Sequence, residues 1–204
     1  MPPIVGILIA YLLGGIPAAY LSGRLLRGID LREHGSGNLG ATNVYRVLGA
    51  KAAVPVFAFD IAKGAAAVLM LSRITDSPHA AIWALVYGPA AIAGHMRSPY
   101  LRWSSGGKGV ATALGVFLSL TPLATLTALA AWLVVFALSR FVSLASLVSA
   151  VALPIAVASF DGVGAPVFVL SVVVGLSVFW THRANIERLR HGQERRVGHR
   201  TPAT

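Results

Sequence analysis

The chain is 204 residues long and has no cysteine, which excludes disulfides, thiolate catalysis and cysteine-held metal. It is 56% hydrophobic and only 12% charged, with a mean hydropathy of +0.73, against roughly 25% charged residues in an average soluble domain, so it reads as an all-α polytopic membrane protein. Its net charge of +10 suits anionic lipid surfaces and anionic substrates; nucleic acid is not an expected partner, because the cations are divided among short loops and form no long basic face.

A membrane-crossing helix needs about 20 largely apolar residues. By that rule seven spans are expected, the first over residues 4–22, with Gly14, Gly15 and Pro17 inside it. No cationic stretch precedes this run, and Arg24 and Arg27 follow it, the reverse of a signal peptide's charge order. It is therefore expected to be a retained span with its N-terminus outside.

Residues 24–51 form a polar loop that contains Arg32-Glu-His-Gly-Ser-Gly-Asn-Leu-Gly-Ala-Thr-Asn-Val-Tyr-Arg46. Gly35, Gly37 and Gly40 let backbone N–H groups turn toward a ligand, while Ser36, Asn38, Thr42 and Asn43 add short polar groups and Arg46 adds fixed charge. That combination suits a phosphate, although Gly, Ser and Asn are also ordinary turn residues.

The second span, 52–71, carries Asp60 and Lys63 at helical i, i+3 spacing, read as an ion pair between spans with a subsidiary place near the site. The third, 80–94, leads to a second polar stretch, 95–109, in which Gly106-Gly107-Lys108-Gly109 feeds a short fourth run over 110–120. Ser104 to Val110 only partly resembles a phosphate-binding P-loop, because Arg102 and Gly109 stand where that motif needs Gly and Ser or Thr. The device expected here is a Gly-rich turn, a lysine and a helix N-terminus gathered around an anion.

Spans over 123–138, 142–160 and 165–180 complete the set, the sixth with Ser143, Ser146 and Ser149 on one face, and residues 181–204 make a basic tail. With the N-terminus outside, all of the 17 Lys and Arg residues except Lys63 and Arg73 fall on one side, which the positive-inside rule makes cytoplasmic along with the C-terminus. The loops 24–51, 95–109 and 182–196 then share that face. The tail reads as a basic helix on anionic headgroups, with His182, Arg183 and Asn185 close enough to the other polar stretches to join them. Of the histidines at this rim, His34 reads as a cap and His95 as the candidate for proton transfer. No ligand spacing links His34, His95 and His182, so no metal and no cofactor is expected.

The ordered set Ser36-Gly-Asn-Leu-Gly-Ala-Thr-Asn-Val-Tyr-Arg46, Asp60-Ile-Ala-Lys63-Gly64, Gly94-His95, Gly106-Gly-Lys-Gly-Val-Ala-Thr112 and His182-Arg-Ala-Asn-Ile-Glu-Arg-Leu resembles the bacterial acyl-phosphate:glycerol-3-phosphate acyltransferases over essentially the whole chain. The resemblance implies a seven-helix enzyme of the bacterial inner membrane, forming a single integral-membrane domain over 1–204. It would move a fatty acyl group from acyl phosphate to the 1-position of glycerol 3-phosphate, giving lysophosphatidic acid and inorganic phosphate. The H-x-x-x-x-D motif of another acyltransferase family is absent: His182 meets Glu187 at that spacing.

Under this resemblance His95, Lys108 and Ser36 are the expected catalytic residues. Asn38, Thr42, Arg46, Gly106, Gly107, Gly109, Thr112, Ser143, Arg183 and Asn185 are expected at substrate and phosphate, with membrane lipids as further partners. The competing reading is a small transporter of an organic phosphate, since broken helices and intramembrane charges suit one as well. Against it, every polar stretch lies on one face.

Overall fold

The computed structural model describes residues 1–198; the last six residues of the basic tail lie outside the described residues. The described chain is all-helical, and it divides into two compact units, Met1–Leu120 and Thr121–Thr204.

The first unit holds α1 (Pro3–Gly15), α2 (Ala18–Arg27), α3 (Ala41–Leu48), α4 (Ala50–Ile74), α5 (Ala80–Met96) and α6 (Val110–Leu120). The expected first span is broken: α1 stops at Gly15, because Pro17 has no N–H to continue the ladder, and α2 resumes at Ala18. The segment expected to be loop over 24–51 contains α3, so Thr42 and Arg46 lie one helical turn apart on a helix. Helical periodicity was hidden there by the Gly and Asn residues that precede it.

Two helix pairs in this unit approach closely through glycine. A β-carbon at Gly14 of α1 would strike the Ala91 carbonyl of α5, and one at Gly94 would strike the Tyr11 carbonyl. Gly64 of α4 faces the Thr112 carbonyl of α6 in the same way, and Gly115 faces that of Ile61. Small residues that let backbones meet are what holds helices together where lipid removes the usual hydrophobic drive. The four-helix arrangement brings the C-terminal end of α5, the middle of α4 and the break after α1 together.

The second unit holds α7 (Pro122–Ser139), α8 (Val142–Phe160), α9 (Pro166–Thr181) and the basic α10 (Arg183–Arg190), which turns 59° from α9. Its helix bounds follow the expected fifth, sixth and seventh spans within a residue or two.

Four stretches, Pro3–Arg27, Ala50–Ile74, Pro122–Ser139 and Val142–Phe160, are long and apolar enough to cross a membrane, and α9 with α10 makes a fifth if counted as one bent span. α5 and α6 are shorter, at 17 and 11 residues. At 1.5 Å per residue α6 reaches only about 16 Å, roughly half of a hydrocarbon core. The chain is a multi-pass membrane protein.

Candidate active site

The site begins with one buried asparagine. Asn43 of α3 is 2% exposed and uses its whole amide: Oδ1 accepts the Ser36 N–H at 2.8 Å, and Nδ2 donates to the carbonyls of Leu31 (3.2 Å) and His34 (3.0 Å). It thereby curls the Gly-rich segment over the start of α3. A second anchor is Asp30, which accepts from the Arg32 guanidinium at 2.6 Å and from the Arg32 backbone N–H at 3.0 Å. Arg32 and Arg24 flank the Tyr20 ring, each 5.3 Å from its centre. The Arg32 hydrogen bonds hold the Asp30 carboxyl down to about 2 against the opposing effect of burial. His34 Nδ1 lies 2.8 Å from the Asp30 carbonyl, a local turn contact in keeping with the cap expected for it.

The second Gly-rich segment folds back on the end of α5. Gly106 N–H donates to the Met96 carbonyl at 2.9 Å and Gly107 N–H to that of His95 at 3.3 Å. These two donors are engaged within the backbone. The Gly106 carbonyl in turn accepts from Asn38 Nδ2 (3.1 Å) and from the Leu39 N–H (3.4 Å), so the two Gly-rich segments are stitched together at this one residue. Arg32 adds a bond to Ser104 Oγ at 3.1 Å.

α4 supplies the third side. Lys63 Nζ lies 2.7 Å from Asp60 Oδ1, and the same oxygen is 3.4 Å from His95 Nδ1. Lys63 also donates to the Ile16 carbonyl at 3.1 Å, and Ser98 Oγ donates to that of Gly15 at 2.6 Å, so both carbonyls freed by the helix break have partners. Asp60, Lys63, His95, Ser98, Gly106 and Gly107 line one small cleft together with the Gly15–Ala18 break. A β-carbon on Gly107 would occupy the place of His95 Nε2, so only glycine lets the imidazole sit there.

Of the residues expected from sequence, His95, Gly106 and Gly107 are cleft-lining, and Asn38 is tied directly to Gly106. Ser36, which is exposed, and Thr42 and Arg46 belong to the neighbouring loop and α3. Lys108, half-buried, and Gly109 stand immediately before α6, whose first turn closes with Ala113 N–H on the Gly109 carbonyl at 2.8 Å. Thr112 is placed differently: it is fully buried where α6 meets Gly64 of α4, and its hydroxyl has no hydrogen-bond partner among the described residues.

In the second unit, Ser143 and Asn185 meet at a carboxylate. Ser143 Oγ donates to Glu194 Oε1 at 2.8 Å, Asn185 Nδ2 to the same oxygen at 2.6 Å, and Arg188 Nε to Oε2 at 2.7 Å. Burial raises the Glu194 pKa, but the Arg188, Asn185 and Ser143 bonds outweigh it and leave the group below the usual carboxylate range. Ser143 and Asn185, expected at the substrate, thus each donate to a carboxylate of the chain's own tail. Arg183 is exposed and stacks on Trp180, its guanidinium carbon 4.8 Å from the ring centre.

Sequence reasoning missed the organising role of Asn43 and the contact of Asp60 with His95. For the second a signal existed, because an ionisable residue inside a span is a functional candidate by default.

The profile of the family described as "Glycerol-3-phosphate acyltransferase" matches residues 4–192. Proteins of that name from Synechococcus sp. and Desulforudis audaxviator are 47% and 45% identical to this chain over 190 and 192 residues. The first match covers 93% of this chain and 92% of the relative, and the second covers 94% of each. Among solved structures, the integral membrane glycerol 3-phosphate acyltransferase PlsY in its glycerol 3-phosphate form superposes with a TM-score of 0.86 at 37% identity, over 96% of both chains. Its lysophosphatidic acid form gives 0.82 at the same identity, over 96% of this chain and 95% of that one. With the profile spanning nearly its whole length, the chain belongs to the glycerol-3-phosphate acyltransferase family.

Proposed function

We propose that this protein transfers a fatty acyl group from acyl phosphate to the 1-position of glycerol 3-phosphate, yielding lysophosphatidic acid and inorganic phosphate. The observation that carries the reading is the stitching of two Gly-rich, cation-bearing segments at Gly106, beside a cleft that holds His95, in a member of this family. Both substrates are phosphates, and each segment brings a cation, Arg46 from one and Lys108 from the other.

In the reaction the glycerol hydroxyl oxygen bonds to the acyl carbonyl carbon, the carbon–oxygen bond to phosphate breaks, and the hydroxyl proton leaves. Arg46 and Lys108 neutralise the phosphates, while Lys108 and the backbone at Gly109 and the start of α6 stabilise charge developing on the carbonyl oxygen and the leaving group. Ser36, Thr42 and the Asn38 amide oxygen orient the substrates. Thr112 supports the cleft from the α4–α6 contact. Arg183 meets headgroup or substrate phosphate from its exposed position, whereas Ser143 and Asn185 act through Glu194 by fastening the tail.

His95 is the proposed general base, a role worth roughly a hundred- to ten-thousand-fold in rate. The packing of Nε2 against Gly107 favours a second reading, in which His95 holds the Gly-rich turn and a substrate phosphate oxygen takes the proton. Phosphate is a good leaving group, so the hydroxyl needs little activation. The two readings separate on the pH–rate profile of His95→Gln: loss of the acidic limb identifies a base, and an unchanged limb with a lower plateau identifies a positioning role.

The proposed setting is a bacterial inner membrane, with seven spans formed by α1 with α2, then α4, α5, α6, α7, α8 and α9, and with membrane lipids around them. The N-terminus is outside, and the loops 24–51, 95–109 and 182–196 of a single 1–204 domain face the cytoplasm. The charge asymmetry supports that orientation. Because the chain has no cysteine, single cysteines placed in each loop report sidedness directly through a membrane-impermeant thiol reagent.

The activity is tested with detergent-purified protein, palmitoyl phosphate and radiolabelled glycerol 3-phosphate, with palmitoyl thioesters as separate donors. Labelled lysophosphatidic acid from acyl phosphate alone is expected. Product from thioesters instead would move the donor, and no product from any donor would sink the reading.

A further inference from the structure

Asp60 and Lys63 are 2% and 3% exposed, and the roles above leave them out. Taking two charges out of water is costly, and a buried ion pair is often replaced by apolar residues with no loss of stability. Helix packing alone therefore gives little reason for this pair. Its contacts give a better one, because each partner reaches a different wall of the cleft. Lys63 Nζ donates to the Ile16 carbonyl at the helix break, while Asp60 Oδ1 faces His95 Nδ1. The opposite edge of that imidazole rests on Gly107, whose N–H bonds back to the His95 carbonyl. One ion pair thus ties the broken end of α1 to the Gly-rich turn.

We propose that Asp60 and Lys63 are positioning residues for acyl transfer, Asp60 acting through His95 on the Gly107 turn and Lys63 acting on the Ile16–Ala18 wall. The proposal rests on the acyl-transfer reading but not on which group takes the proton. An Asp60 carboxylate facing Nδ1 selects the tautomer with its proton on that nitrogen and fixes the ring plane. The ring fixes the turn, and the turn delivers Lys108 and the start of α6 to the substrates. Displacing such a frame by about 1 Å can cost on the order of 100-fold in rate without removing a catalytic group.

The test is a kinetic double-mutant cycle with Asp60→Asn and His95→Gln, in purified full-length protein supplied with palmitoyl phosphate and glycerol 3-phosphate. Asp60→Asn is expected to lower kcat by about ten- to a hundredfold and His95→Gln by at least as much, with KM for glycerol 3-phosphate within about threefold of the parent. The double variant is expected to lose no more than the worse single, since both interrupt one line of contact. Multiplying losses would put the effect of Asp60 outside His95 and overturn the proposal. Asp60→Asn leaves Lys63 buried without its countercharge, so if it does not fold, the same cycle is run on Asp60→Asn with Lys63→Met. That neutral pair folding with the parent's kcat, or failing to fold at all, makes the pair structural and overturns the proposal. A parent enzyme that gives no product from acyl phosphate instead brings down the acyl-transfer reading itself.

Discussion

Each unit of this protein buries a carboxylate among donors, and the two are put to different uses. Asp60 meets Lys63 and His95, and both of those side chains also line a cleft. Glu194 meets Ser143, Asn185 and Arg188, which come from α8 and α10 and fasten the segment that follows α10. A buried carboxylate that gathers donors can thus border a cleft or tie segments of the chain together. What separates the two clusters is what their donors also reach: Lys63 and His95 line the cleft of the first unit, whereas Ser143, Asn185 and Arg188 join α8 and α10 to the segment after α10.

The comparison breaks most sharply at the residues proposed to act on the substrates. Lys108→Ala and His95→Ala are expected to remain folded, as judged by a monodisperse elution profile, while losing about a hundredfold or more in turnover. Activity near the parent's in either variant would remove that residue from the mechanism. Gly107→Ala drives a methyl group into His95 and is expected to lower kcat by about tenfold or more, with the unfolding temperature changing little, because the clash falls on a side chain at the cleft.

Glu194→Gln should do the reverse. It weakens charge-assisted bonds that hold the tail, so stability falls by about 1–2 kcal/mol in a thermal unfolding scan, while kcat of the folded fraction stays within about twofold of the parent. A large loss of kcat at unchanged stability would return Ser143 and Asn185 to the substrate.

The smallest expected effect concerns pH. The Asp30 carboxyl titrates at about 2 in the folded chain, below its ordinary value of 3.8. Its contribution to stability is therefore full above about pH 4 and is lost as the pH falls toward 2; Glu194, also lowered, acts in the same direction. Denaturant midpoints measured from pH 6 down to pH 2 should be flat and then fall, and Asp30→Asn should remove part of that fall. A midpoint that rises on acidification would contradict the Arg32 pairing.

Much of this was legible in the residues. Apolar run length located α4, α7, α8 and α9 closely, because a span must satisfy its own backbone and so must be a continuous helix. The Gly-rich segments, Lys108 and His95 declared themselves by composition, since small polar residues stand out in an apolar chain. The helix α3 did not, because Gly35 to Asn43 carries turn-forming residues up to and into its first turn. Asn43 looked like one more loop polar group until its three bonds placed it as the centre of the fold-back.

By itself, then, the sequence determined the class of the protein, its membrane character, the ordered motifs of the family and the chemical type of the ligand. Those depend on composition and local pattern, which the chain states residue by residue. Only the tertiary structure decided which polar groups serve which neighbours. It brought Asp60 to His95 across 35 residues and Asn38 to Gly106 across 68, and it gave Ser143 and Asn185 to Glu194. The reason is physical: a hydrogen bond is settled by distances of a few tenths of an ångström between helices, and those distances follow from how glycine lets the helices close on one another.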